Sequence, residues 1–279
     1  MMKAGVISRP DDREALDLAR DIAKYLVERG VDVQVETETA LGMDNPGGNM
    51  DLGEMTPDFM VTVGGDGTIL RTAMQMQEPG TPILGVNKGS RGFLTEVDPK
   101  HVNDALDRVL NDDYRIERCI KLSSRHLETG KVFPDSLNEV LLASSMPSKA
   151  IDVRIKANGE PLIDIQSDGV MASTPVGSTA YNLSAGGSIL HPELKNVILT
   201  AISPYSYFRS IVIPDNSIVT MELLKPKAEG MVIIDGRDYT ATKLPTTIEV
   251  RVSEHKARFI RFRSFYERLE RRLVFRQFK

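Results

Sequence analysis

The sequence predicts a two-part chain, with an N-terminal open α/β domain over residues 1–114 and a C-terminal β-rich, sandwich-like domain over residues 115–279. Three observations predict it. Apolar runs alternate with helix-period segments through the first third, which is the rhythm of βαβ units and a parallel sheet. Near residue 115 the pattern turns to many short strands with turns between them. A length of 279 residues also suits about two domains at roughly 150 residues each.

Taken in order, residues 4–7 form a short apolar strand closed by Ser8-Arg9-Pro10. From 11 to 29, Ala15, Leu18, Ala19, Ile22 and Leu26 recur at helical spacing, and Gly30 stops the helix. Residues 31–35 alternate as a strand does, and the Gly-, Asn- and Asp-rich stretch 42–53 reads as a loop. Residues 59–63 are continuously apolar, as in a buried parallel strand, and run through GGDGT into a helix over 69–77. Residues 83–86 repeat the buried strand and 102–110 the helix. In the second part, 151–155 and 162–165 flank Asn158-Gly159, a type I′ hairpin signal. Further strands are predicted at 137–142, 197–201, 211–213, 218–223, 231–234, 248–252 and 259–262. One helix is expected to begin near Ser178. A last helix, from 265 to about 275, is expected to pack back towards the N-terminal domain through Phe265, Leu269 and Leu273.

Composition narrows the function classes. Charged residues total 35 Lys+Arg against 39 Asp+Glu, a balance that argues against nucleic acid or an anionic membrane as partner. Residues 255–279 hold nine Lys/Arg against two Asp/Glu, read here as a solvated helix face rather than a nucleic-acid tail. The lone Cys119 excludes an intrachain disulfide and a CxxC zinc site, and the four histidines lack metal-ligand spacing. No apolar run reaches the roughly 18–20 residues of a membrane span, and the first residues turn polar too early for a signal peptide. The expectation is a cytoplasmic protein with no membrane partner and no metal cage.

Three segments carry chemistry. In Gly64-Gly65-Asp66-Gly67-Thr68, glycines between a buried strand and a helix let backbone N–H groups approach an anion. The segment is neither GxxxxGK[ST] nor GxGxxG. Asp66 inside that turn has two readings: it accepts a proton from a hydroxyl beside the phosphates, or it caps the helix. The segment from Asp168 through TPVGSTAY to Gly187 packs hydroxyl residues, one proline and several glycines around Tyr181. It suits a backbone-lined pocket with hydroxyl donors and an aromatic wall, or a loop in which Ser178 or Thr179 caps a helix. Asn138-Glu139, taken alone, is an ordinary polar pair at a strand edge.

GGDGT, Asn138-Glu139, DGVMASTPVGSTAYNLSAGG and Asp235-Gly236 occur in one order and spacing that resembles the NAD kinase family. Gly85-Val-Asn87, Gly92-Phe-Leu-Thr95 and Phe208-Arg209 extend the resemblance over nearly the whole chain. GGDGT alone is shared with diacylglycerol- and sphingosine-type lipid kinases. Those enzymes and a dinucleotide-binding sensor without turnover are the competing readings.

The resemblance implies a Rossmann-like domain facing the β-rich one, with the active site between them. It implies transfer of a phosphoryl group from ATP or polyphosphate to the adenosine-ribose 2′-hydroxyl of NAD, giving NADP. Mg²⁺ or another divalent cation would accompany the donor, and the assembly would be a homodimer or homotetramer. Carried onto this chain, Asp66 is the general base, and Gly65, Gly67 and Thr68 lie against the nucleotide. Asn138, Glu139, Lys149, Gln166, Asp168, Asp235 and the run Thr179, Ala180, Tyr181, Asn182, Leu183 and Ser184 line the NAD site. Gly64, Arg71 and Arg91 face the phosphoryl donor. The chain departs from the family pattern at Arg91, Gln166, Val176 and Arg237, positions that bear on donor and acceptor choice.

Overall fold

The computed structural model describes residues 1–43, 49–76, 78–88, 92–225, 229–243 and 245–274. Contacts divide the chain into two compact units, Met1–Arg118 with Ala257–Lys279, and Cys119–Lys256.

The first unit opens with strand β1 (Lys3–Ser8), helix α1 (Arg13–Glu28) and strand β2 (Asp32–Glu36). Asp12 caps α1 by accepting from the Ala15 amide at 3.1 Å, and Ala15, Leu16, Ala19, Ile22 and Leu26 are the buried stripe. Helix α2 (Thr37–Gly42) and strand β3 (Asn49–Met50) follow. Both fall at or within the stretch expected to be loop. Glu36 caps α2, accepting from the Thr39 amide at 2.8 Å and the Thr39 hydroxyl at 2.6 Å, so a side chain nucleates a helix too short to show a period.

Strand β4 (Phe59–Gly64), helix α3 (Asp66–Gln75), strand β5 (Pro82–Asn87), a single 3-10 turn and helix α4 (Val102–Leu110) complete the βαβ series. The strands order as β3-β2-β1-β4-β5, with every pairing parallel. Strand order therefore reverses at β1 and β4, the switch point at whose carboxyl edge open α/β sheets bind ligands. Ala4, Val6, Val61, Val63, Leu84 and Val86 meet α1 and α4 in the core.

Strand β6 (Arg115–His126) leads into the second unit. There β7 (Glu139–Ser144), the hairpin β8 (Ile151–Ala157) and β9 (Glu160–Ser167), β10 (Gly169–Ser173), the four-residue helix α5 (Tyr181–Ser184), β11 (Asn196–Ile202), β12 (Ile211–Pro214), β13 (Val219–Lys225), β14 (Gly230–Ile234) and β15 (Asp238–Thr242) follow. Among the described residues, one sheet runs β12-β11-β10-β7-β14-β15, antiparallel throughout. Asn158 and Gly159 turn β8 into β9 with φ of 52° and 84°, as a type I′ turn requires.

Strand β16 (Thr246–Arg261) pairs antiparallel with β13 at its start and parallel with β5 at Arg258 and Phe259. The sequence predicts two strands there. The polar residues 253–256 break the apolar pattern, yet the backbone stays extended through them. The last helix, α6 (Phe265–Val274), has a capping box: the Ser264 amide donates to Glu267 at 2.7 Å, and the Glu267 amide to the Ser264 hydroxyl at 3.2 Å.

The basic C-terminal stretch is not a simply solvated face. Arg261 and Arg268 are buried with Glu96 and Glu117, and Arg261 Nε lies 2.8 Å from Glu117 Oε2. Burial pushes the Glu117 carboxyl up, but Arg261 and Arg268 outweigh it and hold the group below the usual range.

Candidate active site

Two clusters gather the sequence-predicted residues, one in each unit. In the first, β4 delivers its chain into the turn at Gly64 and Gly65. Gly65 is the N-cap of α3 and offers no side-chain cap, while Asp66 is the first helical residue. The capping reading of Asp66 is therefore set aside. Its two oxygens instead accept from the peptide amides of Phe93 at 2.9 Å and Leu94 at 3.0 Å. A Cβ on Gly92 would stand 1.8 Å from Asp66 Oδ1, so only glycine lets that loop close on the carboxylate. An ionised carboxylate has about four acceptor sites. Two amides fix the group and leave lone pairs for a substrate hydroxyl.

Gly67 is half-buried and Thr68 buried at the start of the same helix. Arg71, one turn further, pairs with Glu36 at 3.2 Å and Glu38 at 2.6 Å, so two acids already engage its guanidinium. Arg91 lies outside the described residues.

In the second unit, Asp235 sits in the β14–β15 turn with φ of 49°. Its carboxylate accepts from the Ser136 hydroxyl at 2.6 Å and from the amides of Leu137, Asn138 and Glu139 at 2.7, 2.8 and 3.0 Å. Asp235 thus fixes the backbone that carries Asn138 and Glu139. Burial raises its pKa, and those four donors oppose the shift. Lys121 is buried in the field of Asp235 and Asp135. Burial pushes its ammonium down and the two carboxylates push it back up. Glu139 is pushed up to about 8, first by burial and then by the charge of Asp235, with the Tyr181 amide opposing. Its Oε2 is buried with no hydrogen-bond partner among the described residues. Near neutral pH it is a carboxylic acid with a proton to donate.

The TPVG turn closes on this pair. The Thr174 amide donates to the Asn138 carbonyl at 2.9 Å. A Cβ on Gly177 would lie 2.0 Å from the same oxygen. The hydroxyls expected to line a pocket face inward: Thr174 donates to Leu137 O at 2.6 Å, Ser178 to Pro175 O at 2.5 Å and Thr179 to Val176 O at 2.9 Å. Neither Ser178 nor Thr179 caps α5, whose N-cap is Ala180 with no side-chain bond. Asn182 is buried and fully engaged with Ser178, Ser188 and Thr200. Tyr181, at 44%, and Ser184 are exposed, while Ala180 and Leu183 are half-buried.

Register separates the remaining residues from Glu139. Ser173 pairs with Glu139 while Gly169 pairs with Ala143, so Asp168, five residues from Ser173, lies roughly 17 Å along the strand pair, at about 3.4 Å per residue. Asp168 is exposed there, and its carbonyl accepts from the Ser144 amide at 2.9 Å. Lys149 is exposed and Gln166 half-buried, with the Gln166 carbonyl accepting from the Tyr205 amide at 2.9 Å. Sequence reasoning missed Ser136, Lys121 and the holding role of the 93 and 94 amides. The signals present were a lysine inside the apolar run Cys119–Leu122 and a Gly-Phe-Leu-Thr segment behind a strand.

Residues 4–114 match the ATP-NAD kinase N-terminal domain and residues 137–262 the ATP-NAD kinase C-terminal domain. The chain is 36% identical to an NAD kinase of Methanothermobacter thermautotrophicus over 98% of this chain and 97% of that one. The chain belongs to the NAD kinase family. Phosphoryl transfer to NAD, giving NADP, is the activity of this family of phosphotransferases. Among solved structures, an NAD kinase from Archaeoglobus fulgidus in complex with ATP matches with a TM-score of 0.80 and 27% identity, covering 98% of this chain and 99% of that one. A yeast NADH kinase complexed with NADH shares the fold, at a TM-score of 0.89 and 21% identity over 100% of this chain and 89% of that one. The N-terminal α/β domain and C-terminal β-rich domain expected from the sequence are those of NAD kinases. Among the described residues no helix is long and apolar enough to cross a membrane.

Proposed function

We propose that this NAD kinase family member uses Asp66 as the general base that activates the adenosine-ribose 2′-hydroxyl of NAD towards the terminal phosphorus of ATP or polyphosphate. The observation that carries the reading is the Asp66 carboxylate, held by the Phe93 and Leu94 amides at the carboxyl end of β4 with acceptor sites to spare. As the hydroxyl oxygen bonds to phosphorus, its proton passes to Asp66. The bridging O–P bond of the donor breaks, and ADP or a polyphosphate shortened by one phosphate departs. Such a step is mostly positioning and charge neutralisation. The glycine turn and the N-terminus of α3 favour the developing negative charge.

Asn138 and Glu139 hold the adenosine end, with Tyr181 beside them. Glu139 donates its proton as a hydrogen bond to a ribose or base acceptor, and Asp235 acts through the backbone it fixes. Lys149, Gln166 and Asp168, at the far end of β7 and β10, meet the rest of the dinucleotide. Among the described residues no three acidic, imidazole or thiol groups cluster as a metal cage. Mg²⁺ enters with the donor as part of the substrate, held by phosphate oxygens and water. We place the enzyme in the cytoplasm as a homodimer or homotetramer.

The test is to incubate the purified chain with Mg-ATP and NAD and to measure NADP with an NADP-specific dehydrogenase, repeating with polyphosphate. NADP formation with either donor is expected. Its absence with both, across pH and temperature, would remove the reading.

A further inference from the structure

A cleft of the first unit has a chemistry the site above does not use. It is lined by Asn87, Gly92 and Thr95, by Arg263, Arg268, Arg271 and Arg272, and by the acidic Glu96 and Asp98. The carboxylates nearby are mostly committed. Glu96 and Glu117 neutralise Arg261 and Arg268 in the buried network. Glu267 caps α6 through Ser264, although it also feels Arg263 and Arg271. Asp98 reaches Arg271 only at 3.9 Å.

Two of the lining guanidinium groups have no carboxylate partner among the described residues. Arg263 donates to the Glu96 carbonyl at 2.8 Å. Arg272 lies 5.3 Å over the Phe93 ring. Several guanidinium forks around one opening suit a polyvalent oxyanion such as a phosphate chain better than a single carboxylate.

Position selects among phosphate ligands. Gly92 lines the cleft and also sits against the Asp66 carboxylate, and the Phe93 under Arg272 supplies one of the amides that hold Asp66. A phosphate chain in the cleft therefore abuts the loop that fixes the proposed base.

We propose that this arginine-lined cleft binds the trailing, untransferred phosphate groups of the phosphoryl donor, a site for an oligophosphate chain. The assignment of that chain to the donor rests on the reading above.

The experiment is calorimetric titration of the full chain with inorganic tripolyphosphate, without nucleotide, for wild type and the Arg271→Gln/Arg272→Gln variant. Both arginines lie on the outer turns of α6, and a melting curve checks that the variant is folded. Wild type is expected to bind, the variant to bind about tenfold more weakly, and NAD affinity to stay unchanged. Lys24→Gln/Lys243→Gln removes the same charge from exposed positions elsewhere and is expected to leave binding as in wild type. Donor KM then identifies the source. A rise with ATP assigns the triphosphate tail, and a rise confined to polyphosphate assigns the longer chain. Equal tripolyphosphate affinity in wild type and the arginine variant, or an equal loss in the lysine variant, would overturn the site. A chain that made no NADP yet lost tripolyphosphate binding in the arginine variant would sink the kinase reading and leave the site standing.

Discussion

Burial raises the Glu139 carboxyl to about 8, with the charge of Asp235 adding to the shift. The unfolded chain releases this proton near the ordinary value of about 4.3, while the native chain keeps it until near 8. In that window the native state binds more protons, so this group's contribution to stability falls as pH rises and levels off above the native value. Glu139→Gln cannot ionise and loses that slope. Calorimetry at several pH values is expected to show the variant's Tm gaining on wild type between about pH 5 and 8. A constant difference would mean that the native carboxyl titrates normally. Gly92→Ala tests the other cluster. A methyl 1.8 Å from Asp66 Oδ1 must displace the carboxylate or the loop. The expected outcome is kcat lower by about 10²-fold or more with the chain still folded, because small misplacements of reacting groups are costly. Near-normal kcat would show that the Asp66 position is not critical.

The loop over residues 92–97 is built from both sides. Its amides at 93 and 94 hold Asp66, and its Leu94 carbonyl accepts from Arg261 Nη1 at 2.7 Å. Glu96 in turn accepts from the amides of Phe262 and Arg263 at 2.9 and 2.8 Å. The end of β16 and α6 thus brace the loop that braces the proposed base. Glu117→Gln leaves Arg261 and Arg268 underpaired in the core and is expected to cost about 3–5 kcal/mol of stability, read from denaturant unfolding. Because Arg261 and Arg268 hold Glu117 below its ordinary range, its contribution is present above the unfolded value and is lost as pH falls below about 4. Wild type should lose its advantage over the variant in that acid range. None of this bracing was legible in the sequence. A charge run looks the same whether it faces water or a buried carboxylate, and only the fold brings residue 261 to residues 94 and 117.

At the scale of the molecule, legibility follows the period of the signal. The parallel strands and the long helices of the first unit were readable because they are continuous apolar runs and clean stripes. So was the β8–β9 hairpin, through Asn158-Gly159. Strand β10 was not, because its Gly-Val-Met-Ala-Ser reads as part of a small-residue pocket until β7 and β11 pair on either side. Strand β15 was missed although Asp235-Gly236 is a type I′ signal, since that dipeptide drew attention only as a site motif. Within the site, Asp66 and Asn138-Glu139 were legible as motifs. The inward turn of the Thr174, Ser178 and Thr179 hydroxyls was not, because hydroxyl residues serve pockets and turns equally well. The central claim joins these scales: a carboxylate at the switch point of the α/β sheet takes the proton of an NAD hydroxyl. Steady-state kinetics of Asp66→Asn beside wild type, with Mg-ATP and NAD, tests it most directly. The variant is expected to bind NAD as wild type does while kcat falls by roughly 10²–10⁴-fold. Wild-type kcat in the variant, or a loss confined to NAD affinity, would contradict the claim.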